Sequence, residues 1–117
     1  MVFELTDDNY VQTVESAQTP IFIDFYSPSC APCQALLPLL PKLAEQFGDA
    51  VLIAKVDVTR NPKLAAKYEI RSVPFCVAIG SDKMVKGYEL GAAPAARYVA
   101  MIEKAQGKGF FARLFGR

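Results

Sequence analysis

The sequence predicts an α/β protein with a central mixed β-sheet flanked by helices on both faces. Two short runs, 21–26 and 51–58, are apolar on both faces, which is typical of central strands covered from both sides. A helix-start signal follows each run, and strand–helix–strand units imply right-handed crossovers within one sheet. Two later strands, 73–79 and 83–88, are joined by a short turn, so we expect them to pair antiparallel.

Four helices are predicted between and around these strands. Each begins at a capping residue, a proline or a strand-to-helix turn. Their expected ranges are 6–16, capped by Thr6, then 30–47, 61–68 and 94–107. Asn61 is the expected N-cap of the third helix, with Pro62 at its first position. Pro41 lies inside the second helix, where proline is poorly tolerated, so we expect that helix to bend or restart there.

The composition fits one folded domain and removes several classes of chemistry. The chain has 117 residues, of which 52% are hydrophobic and 21% charged, enough for a core without disulfides or metals. It contains no histidine, which excludes Cys/His and Ser/His catalysis and histidine-ligated zinc. A formal net charge of +1 gives no reason to expect a nucleic-acid partner.

The first residues and the apolar runs indicate where in the cell the protein is expected. MVFELTDDNY lacks a basic region followed by an apolar core, so we expect no secretory signal and a cytoplasmic protein. The apolar runs are of strand length and are interrupted by Asp24 and Lys55, so we expect no membrane span. The odd count of three cysteines does not indicate a structural disulfide framework.

Cys30-Ala31-Pro32-Cys33 lies at the junction between a predicted strand and the predicted helix that follows it. The unpaired N–H groups and positive dipole end of a helix N-terminus stabilise a thiolate, which is the nucleophilic form of cysteine. Cys30, at the helix end, is therefore the expected attacking sulfur. Cys33 lies one turn further in, should be less exposed, and would resolve a mixed disulfide formed with a partner.

Two other interpretations of this spacing stay open from the residues alone. The two cysteines could lie two residues apart by chance in a core helix, or they could form half of a metal site. A metal site needs two more ligands, and without histidine only Cys76 is left. We therefore expect neither a metal nor an organic cofactor.

Asp24 interrupts the first apolar strand, six residues before Cys30. Burial of a carboxylate costs several kcal/mol or else raises its pKa. A raised-pKa acid near Cys33 could take and return the proton of that thiol during exchange. Lys55 interrupts the neighbouring strand and could pair with Asp24, directly or through water. The alternative is a structural buried pair, or side chains that leave the sheet at a strand end.

Val73-Pro74 opens a predicted core strand, where proline is unusual. A cis peptide bond there would turn the preceding backbone toward the cysteines. Cys76 follows two residues later. We expect it to be a small buried apolar side chain, with a regulatory thiol near the site as the alternative.

Three spaced segments resemble the thioredoxin family. IDFYSPSCAPCQALLP is similar to the family's active-site strand and helix, KVDVTRNPKLAAKYEIRSVPF to its next strand–helix segment, and GYELGAAP to its glycine-containing loop. The resemblance covers roughly residues 3 to 106 and implies a thioredoxin fold that catalyses reversible dithiol–disulfide exchange. It also implies disulfide-containing protein substrates, a thioredoxin-reductase-type electron donor and a monomer.

The resemblance assigns roles to individual residues. It implies Cys30 as nucleophile, Cys33 as resolving thiol and Asp24 as buried acid. Lys55 would be the lysine near that acid, and Pro38 would mark a kink in the long helix. The residues that contact partners would belong to the dithiol turn, the cis-proline segment and the loop bordering the partner groove: Ala31, Pro32, Val73, Pro74, Phe75 and Gly91.

Departures from the family pattern surround the dithiol. The chain has no tryptophan, and Ser29 and Tyr26 stand where the family has this residue. Loss of the aromatic side chain beside Cys30 removes apolar docking surface, which predicts altered partner choice. Phe75 replaces a threonine at a position that borders bound partners. The alternative function is a thioredoxin-fold binding module in which redox turnover is incidental.

The chain is predicted to divide into a domain, residues 1–106, and a tail, residues 107–117. The tail carries three basic residues and no acid. It could extend the last helix onto the domain, fray, or form a basic amphipathic hook for a partner or membrane surface. Its apolar residues would share one face of a helix: Phe110, Phe111, Leu114 and Phe115.

Overall fold

A computed structural model, in which residues 1–108 are described, shows a five-stranded mixed sheet. The strands are β1 (Val2–Glu4), β2 (Ile21–Tyr26), β3 (Leu52–Asp57), β4 (Phe75–Ile79) and β5 (Val85–Leu90). Their spatial order is β1-β3-β2-β4-β5. β1 and β2 run parallel to β3, whereas β4 is antiparallel to β2 and β5 is antiparallel to β4. The predicted mixed sheet and the predicted hairpin are confirmed.

Helices cover both faces of this sheet. They are α1 (Ala31–Leu36), α2 (Leu39–Phe47), α3 (Pro62–Lys67), α4 (Ala95–Ala105) and a π-helical segment (Val11–Glu15). Leu36 and Tyr98 place α1 and α4 on the face that carries Phe22, and α2 packs there too. Leu64 places α3 on the opposite face with Phe25, together with the π-helical segment. β2 is therefore buried on both faces, as its two-sided apolar sequence predicts.

The N-terminal segment differs from the prediction, which has one helix and no strand there. β1 is a three-residue edge strand in which Phe3 and Glu4 are exposed, so its sequence shows no burial pattern. Thr6 does cap the following turn, because its Oγ1 accepts from the N–H of Asn9 at 3.1 Å. Asn9 Oδ1 accepts in return from the N–H of Thr6 at 2.8 Å. This turn leads into the short π-helical segment rather than a regular α-helix.

The long predicted helix is interrupted at an earlier proline than expected. It divides into α1 and α2 at Leu37-Pro38, whereas Pro41 is the third residue of α2. A residue of the first helical turn needs no intrahelical N–H bond, so Pro41 is accommodated without a restart. Pro38, which the family resemblance marks as a kink, lies at the break instead.

The cap of α3 comes from a distant part of the chain. Asn61 occupies the N-cap position, but its side chain does not cap the helix. Asp7 does so, because its Oδ1 and Oδ2 accept from the N–H groups of Leu64 at 2.9 Å and Lys63 at 3.1 Å. Asn61 instead anchors this cap, since its Oδ1 accepts from the N–H of Asp7 at 2.9 Å.

The last two strands begin two residues later than predicted. Pro74 lacks the N–H that a ladder needs, and Lys83 belongs to the turn, where its N–H donates to the Gly80 carbonyl oxygen at 2.9 Å. The last helix, α4, follows Pro94 and ends at Ala105, close to its predicted bounds. The apolar face predicted for the tail lies outside the described residues.

Candidate active site

Cys30 and Cys33 are joined by a disulfide at the N-terminus of α1, next to the carboxyl end of β2. Their Cα atoms are 5.2 Å apart, an ordinary separation for a disulfide. Cys30 is the extended N-cap residue of α1, and the N–H of Cys33 donates to its Sγ at 3.2 Å. Once the disulfide is reduced, this N–H and the helix N-terminus stabilise a thiolate on Cys30.

The two sulfur-bearing residues differ in their access to solvent. Cys33 has no exposed surface, whereas Cys30 is half-buried. Ala31 and Pro32, which lie between them, are exposed. An incoming disulfide can therefore reach Cys30 but not Cys33, and the order of exposure predicted from the sequence is confirmed.

The segment before β4 lies beside the dithiol. The Val73–Pro74 peptide bond is cis, and the carbonyl oxygen of Val73 lies 3.7 Å from Cys30 Sγ. The carbonyl oxygen of Pro74 accepts from the N–H of Gly91 at 2.8 Å, so the loop after β5 closes on the same segment. The structure thus brings Val73, Pro74 and Gly91 together next to Cys30.

A row of polar residues crosses the face of the sheet that α1 covers. Asp24 and Cys76, at its centre, have no exposed surface, and the other members are nearer to solvent. The buried acid therefore lies between a lysine and a thiol. In the register of the strand pairs, each strand contributes one residue to this row, in the order Glu4, Lys55, Asp24, Cys76 and Glu89.

Burial dominates the acid–base behaviour of Asp24. It raises the pKa of the carboxyl group from 3.8 to about 6, against the lowering effects of a hydrogen bond from Cys76 and the charge of Lys55. Cys76 Sγ donates to Oδ1 at 3.5 Å, whereas Oδ2 has no hydrogen-bond partner in the described part of the chain. Such an acid can exchange a proton near neutral pH.

Asp24 and Cys33 lie at the same end of the layer between β2 and α1. Leu36 of α1 and Phe22 of β2 belong to the same core cluster. Cys33 precedes Leu36 by one helical turn, and Asp24 follows Phe22 by two residues on the same strand face. Both steps lead toward the turn that joins β2 to α1. The buried thiol and the buried acid therefore both lie toward the β2–α1 turn, on the side of the sheet that α1 covers.

Lys55 makes no direct ion pair with Asp24. Its Nζ lies 3.6 Å from Glu4 Oε1 and 5.7 Å from the centre of the Tyr26 ring. The direct pairing considered from the sequence is not formed, because the unpredicted strand β1 supplies Glu4 as a competing, more exposed acid. Lys55 still acts on Asp24 through its charge, which lowers the pKa of that carboxyl group.

An aromatic surface lies along β4 and β5 and begins at Phe75, the residue after Pro74. Phe75 stacks on Tyr88, with ring centres 5.7 Å apart and planes at 8°. Tyr88 and Leu90 are 66% and 59% exposed and align with Val77 and Phe75, on the face of β5 away from α4. Phe75 was predicted from the sequence as a partner-contacting residue, but Tyr88 and Leu90 were not. Their alternation with polar residues along the strand was the available signal.

Within residues 1–108, no cluster of three or more His, Cys, Asp or Glu side chains is placed to hold a metal ion. In the same residues, every helix is too short or too polar to cross a membrane. The groups that the structure does bring together are a dithiol, a buried carboxyl group and a backbone carbonyl.

The fold and this site define a class of protein that exchanges thiols and disulfides. A half-buried cysteine at a helix N-terminus is bonded to a buried one, and a buried acid lies in the strand that precedes this helix. A family model described as Thioredoxin matches residues 1–104. The chain therefore belongs to the thioredoxin family, and it is a thiol–disulfide oxidoreductase. The resemblance carried by the spaced motifs is confirmed.

The similarity to known thioredoxins extends over most of the chain. Thioredoxin C-2 of Corynebacterium nephridii is 37% identical over 103 residues, which cover 88% of this chain and 94% of that protein. Thioredoxin 1 of Synechococcus elongatus is 31% identical over 100 residues, with coverage of 86% and 92%. The crystal structure of chloroplastic thioredoxin z matches with a TM-score of 0.80 and 27% identity, over 91% of this chain and 95% of that one.

Proposed function

We propose that this protein reduces disulfides in partner proteins, with Cys30 as the nucleophile and Cys33 as the resolving thiol. The observation that supports this best is the difference in exposure between two residues that form one disulfide. The Cys30 thiolate attacks the partner disulfide, forms a mixed disulfide and releases one partner sulfur as a thiolate. Cys33 then attacks Cys30, which releases the second partner sulfur and restores the Cys30–Cys33 disulfide.

Asp24 serves the second step as a proton acceptor. Cys33 is fully buried, so direct proton loss to bulk water is hindered. A carboxyl group whose pKa burial raises to about 6 can accept that proton near neutral pH and release it later. Lys55 assists through its charge, which favours the ionised, proton-accepting carboxylate.

The segment before β4 and the Phe75–Tyr88 stack bind the partner chain beside its cysteine. The Val73 carbonyl oxygen is 3.7 Å from Cys30 Sγ, so a partner segment bonded to Cys30 passes along it. Phe75 directly follows Pro74, and its stack with the exposed Tyr88 supplies apolar area in place of the aromatic side chain missing at Ser29. This surface favours partner segments with apolar or aromatic residues near the disulfide.

Each cycle oxidises the dithiol, so the protein needs two electrons to begin again. A thioredoxin-reductase-type electron donor supplies them in this proposal. The proposal includes a monomeric working form, a cytoplasmic location and a role in electron transport and cell redox homeostasis. The third cysteine, Cys76, is a free and buried thiol, which suits a reducing compartment.

The first test is dithiothreitol-driven reduction of a disulfide in a standard substrate protein. The parent protein is compared with Cys30→Ser and with Ser81→Ala, a control in the β4–β5 turn at the opposite end of β4 from the dithiol. We expect turnover by the parent and by Ser81→Ala, and none above background by Cys30→Ser.

Failure of the folded parent, with its own disulfide reducible, would contradict a general reductase. A partner complex that survives both Cys30→Ser and Cys33→Ser would then favour the thioredoxin-fold binding module. Turnover that persists in Cys30→Ser would contradict the role of Cys30 as nucleophile.

A further inference from the structure

Cys76 is the third cysteine, and it lies directly opposite Asp24 in the register of β2 and β4. Neither residue has exposed surface. Cys76 Sγ lies 3.5 Å from Asp24 Oδ1, close enough for the thiol to donate a hydrogen bond. Within residues 1–108, Oδ2 of the same carboxyl group has no partner. One oxygen of the acid is therefore held and the other is left available.

The Cys76 thiol acts as a hydrogen-bond donor rather than a nucleophile. Burial, and then the negative charge of Asp24, raise the pKa of this thiol far above its ordinary range. It therefore stays protonated at working pH, and a protonated thiol is a poor nucleophile. The sequence predicted a small buried side chain at Cys76, and its burial agrees with this prediction. The hydrogen bond to Asp24 was not predicted.

We propose that Cys76 is a positioning residue for the exchange reaction: its thiol holds Oδ1 of Asp24 and leaves Oδ2 to take the proton of Cys33. The inference rests on the proposed function, because it gives Cys76 a role in the resolving step. A carboxyl group without this bond has no other hydrogen bond among the described residues to set its orientation. The donor also favours the ionised carboxylate, which is the form that accepts a proton.

Protons and electrons balance in the resolving step. In the mixed disulfide, the Cys33 thiol transfers its proton to Oδ2 of Asp24, and the resulting thiolate attacks Cys30 Sγ. The Cys30–Cys33 bond forms as the bond between Cys30 and the partner sulfur breaks. The electron pair leaves on the partner sulfur, which takes a proton from solvent. The dithiol is thereby oxidised and the partner reduced by two electrons.

Several other titratable groups face Asp24 or Cys76 and contribute to the pH dependence. All of them are retained in the variants described below, so a comparison among these variants isolates the Cys76 thiol. The groups come from several packed elements: Tyr26 of β2, Lys55 of β3 with its neighbour Glu4 of β1, Glu89 of β5 and Tyr98 of α4.

The test follows the carboxyl carbon resonance of Asp24 in the reduced protein, from about pH 4 to about pH 9. Cys76→Ala removes the donor, Cys76→Val removes it while filling the space, and Cys76→Ser retains a donor. Val77→Ala is the matched control, because Val77 is also buried on β4 but faces the opposite side of the sheet. A second measurement records the release of a labelled partner thiol from Cys30 in a single turnover at each pH.

The titration midpoint of Asp24 should rise by about half a pH unit in Cys76→Ala and Cys76→Val, because the charged form loses a weak hydrogen bond. Cys76→Ser should return the midpoint toward the parent value, and Val77→Ala should leave it unchanged. The pH midpoint of partner release should move by the same amount as the titration of Asp24.

An unchanged midpoint in folded Cys76→Ala or Cys76→Val would overturn the positioning role. The titration of Asp24 needs no partner, so this result is distinguishable from failure of the proposed function. If the parent turns over substrate while the midpoints do not move, the role of Cys76 alone is refuted. If the parent reduces no disulfide at all, both the proposed function and the role of Cys76 within it fail.

Discussion

Asp24→Asn replaces a fully buried carboxyl group with an uncharged side chain of nearly the same shape. Burial raises the pKa of Asp24 from 3.8 to about 6 in the folded protein, whereas the unfolded chain retains the ordinary value. Ionisation of Asp24 therefore costs more free energy in the folded state than in the unfolded state. The substitution removes this difference, so its effect on stability must depend on pH.

The pH window of the effect follows from the two pKa values. Below pH 3.8 the carboxyl group is protonated in both states, and ionisation does not affect the free energy of unfolding. Between pH 3.8 and about 6 the unfolded state loses its proton first, so the stability of the parent falls as pH rises. Above about pH 6 both states are ionised, and the loss stays constant at about 3 kcal/mol.

Urea unfolding of the oxidised protein at several pH values measures this effect. The buried amide introduced by Asp24→Asn adds a cost that does not depend on pH. The informative quantity is therefore how the difference in free energy of unfolding between variant and parent changes with pH. We expect the free energy of unfolding of the variant to rise by about 3 kcal/mol relative to that of the parent between about pH 3 and about pH 8. Asp49→Asn, which removes an exposed carboxyl group, controls for the substitution. A difference that stays within about 0.5 kcal/mol would refute the raised pKa.

Three other substitutions test the order of attack at the dithiol, the cap of α3 and the aromatic surface. Cys33→Ser should accumulate a mixed disulfide between Cys30 and the partner, seen by mass spectrometry, and no adduct would contradict the order of attack. Asp7→Ala should lower the free energy of unfolding by about 1 kcal/mol by removing the cap of α3; an equal loss in Asp8→Ala, at an exposed neighbour, would argue against capping. Phe75→Thr should raise KM for disulfides flanked by aromatic residues, and an equal rise for alanine-flanked disulfides would count against the aromatic surface.

The dithiol site was predictable because its signals are local. A six-residue run that is apolar on both faces marks β2, and Cys30 follows at a helix start, so neighbouring residues determine the turn and the helix N-terminus. The roles of Cys33, Asp24 and Pro74 within one site came from the family resemblance as well. Cys33→Ser tests the first of these roles.

Pairing between distant residues was not predictable from one sequence. Lys55 contacts Glu4 rather than Asp24, because β1 is too short to show a periodic pattern and was not foreseen. Asp7 caps α3 from a position 56 residues before Lys63, and nothing in the local sequence of α3 indicates it.

By itself, the sequence determined the fold class, the dithiol at a helix N-terminus and an acid within a buried strand. These features depend on propensity, periodicity and chain order, which act over a few residues. Only the tertiary structure decided which groups meet that acid: the Cys76 thiol on Oδ1, no partner on Oδ2 within residues 1–108, and the charge of Lys55 held near Glu4. It also decided the raised pKa of Asp24, because a pKa depends on the exclusion of water and on neighbours that separate strands bring together.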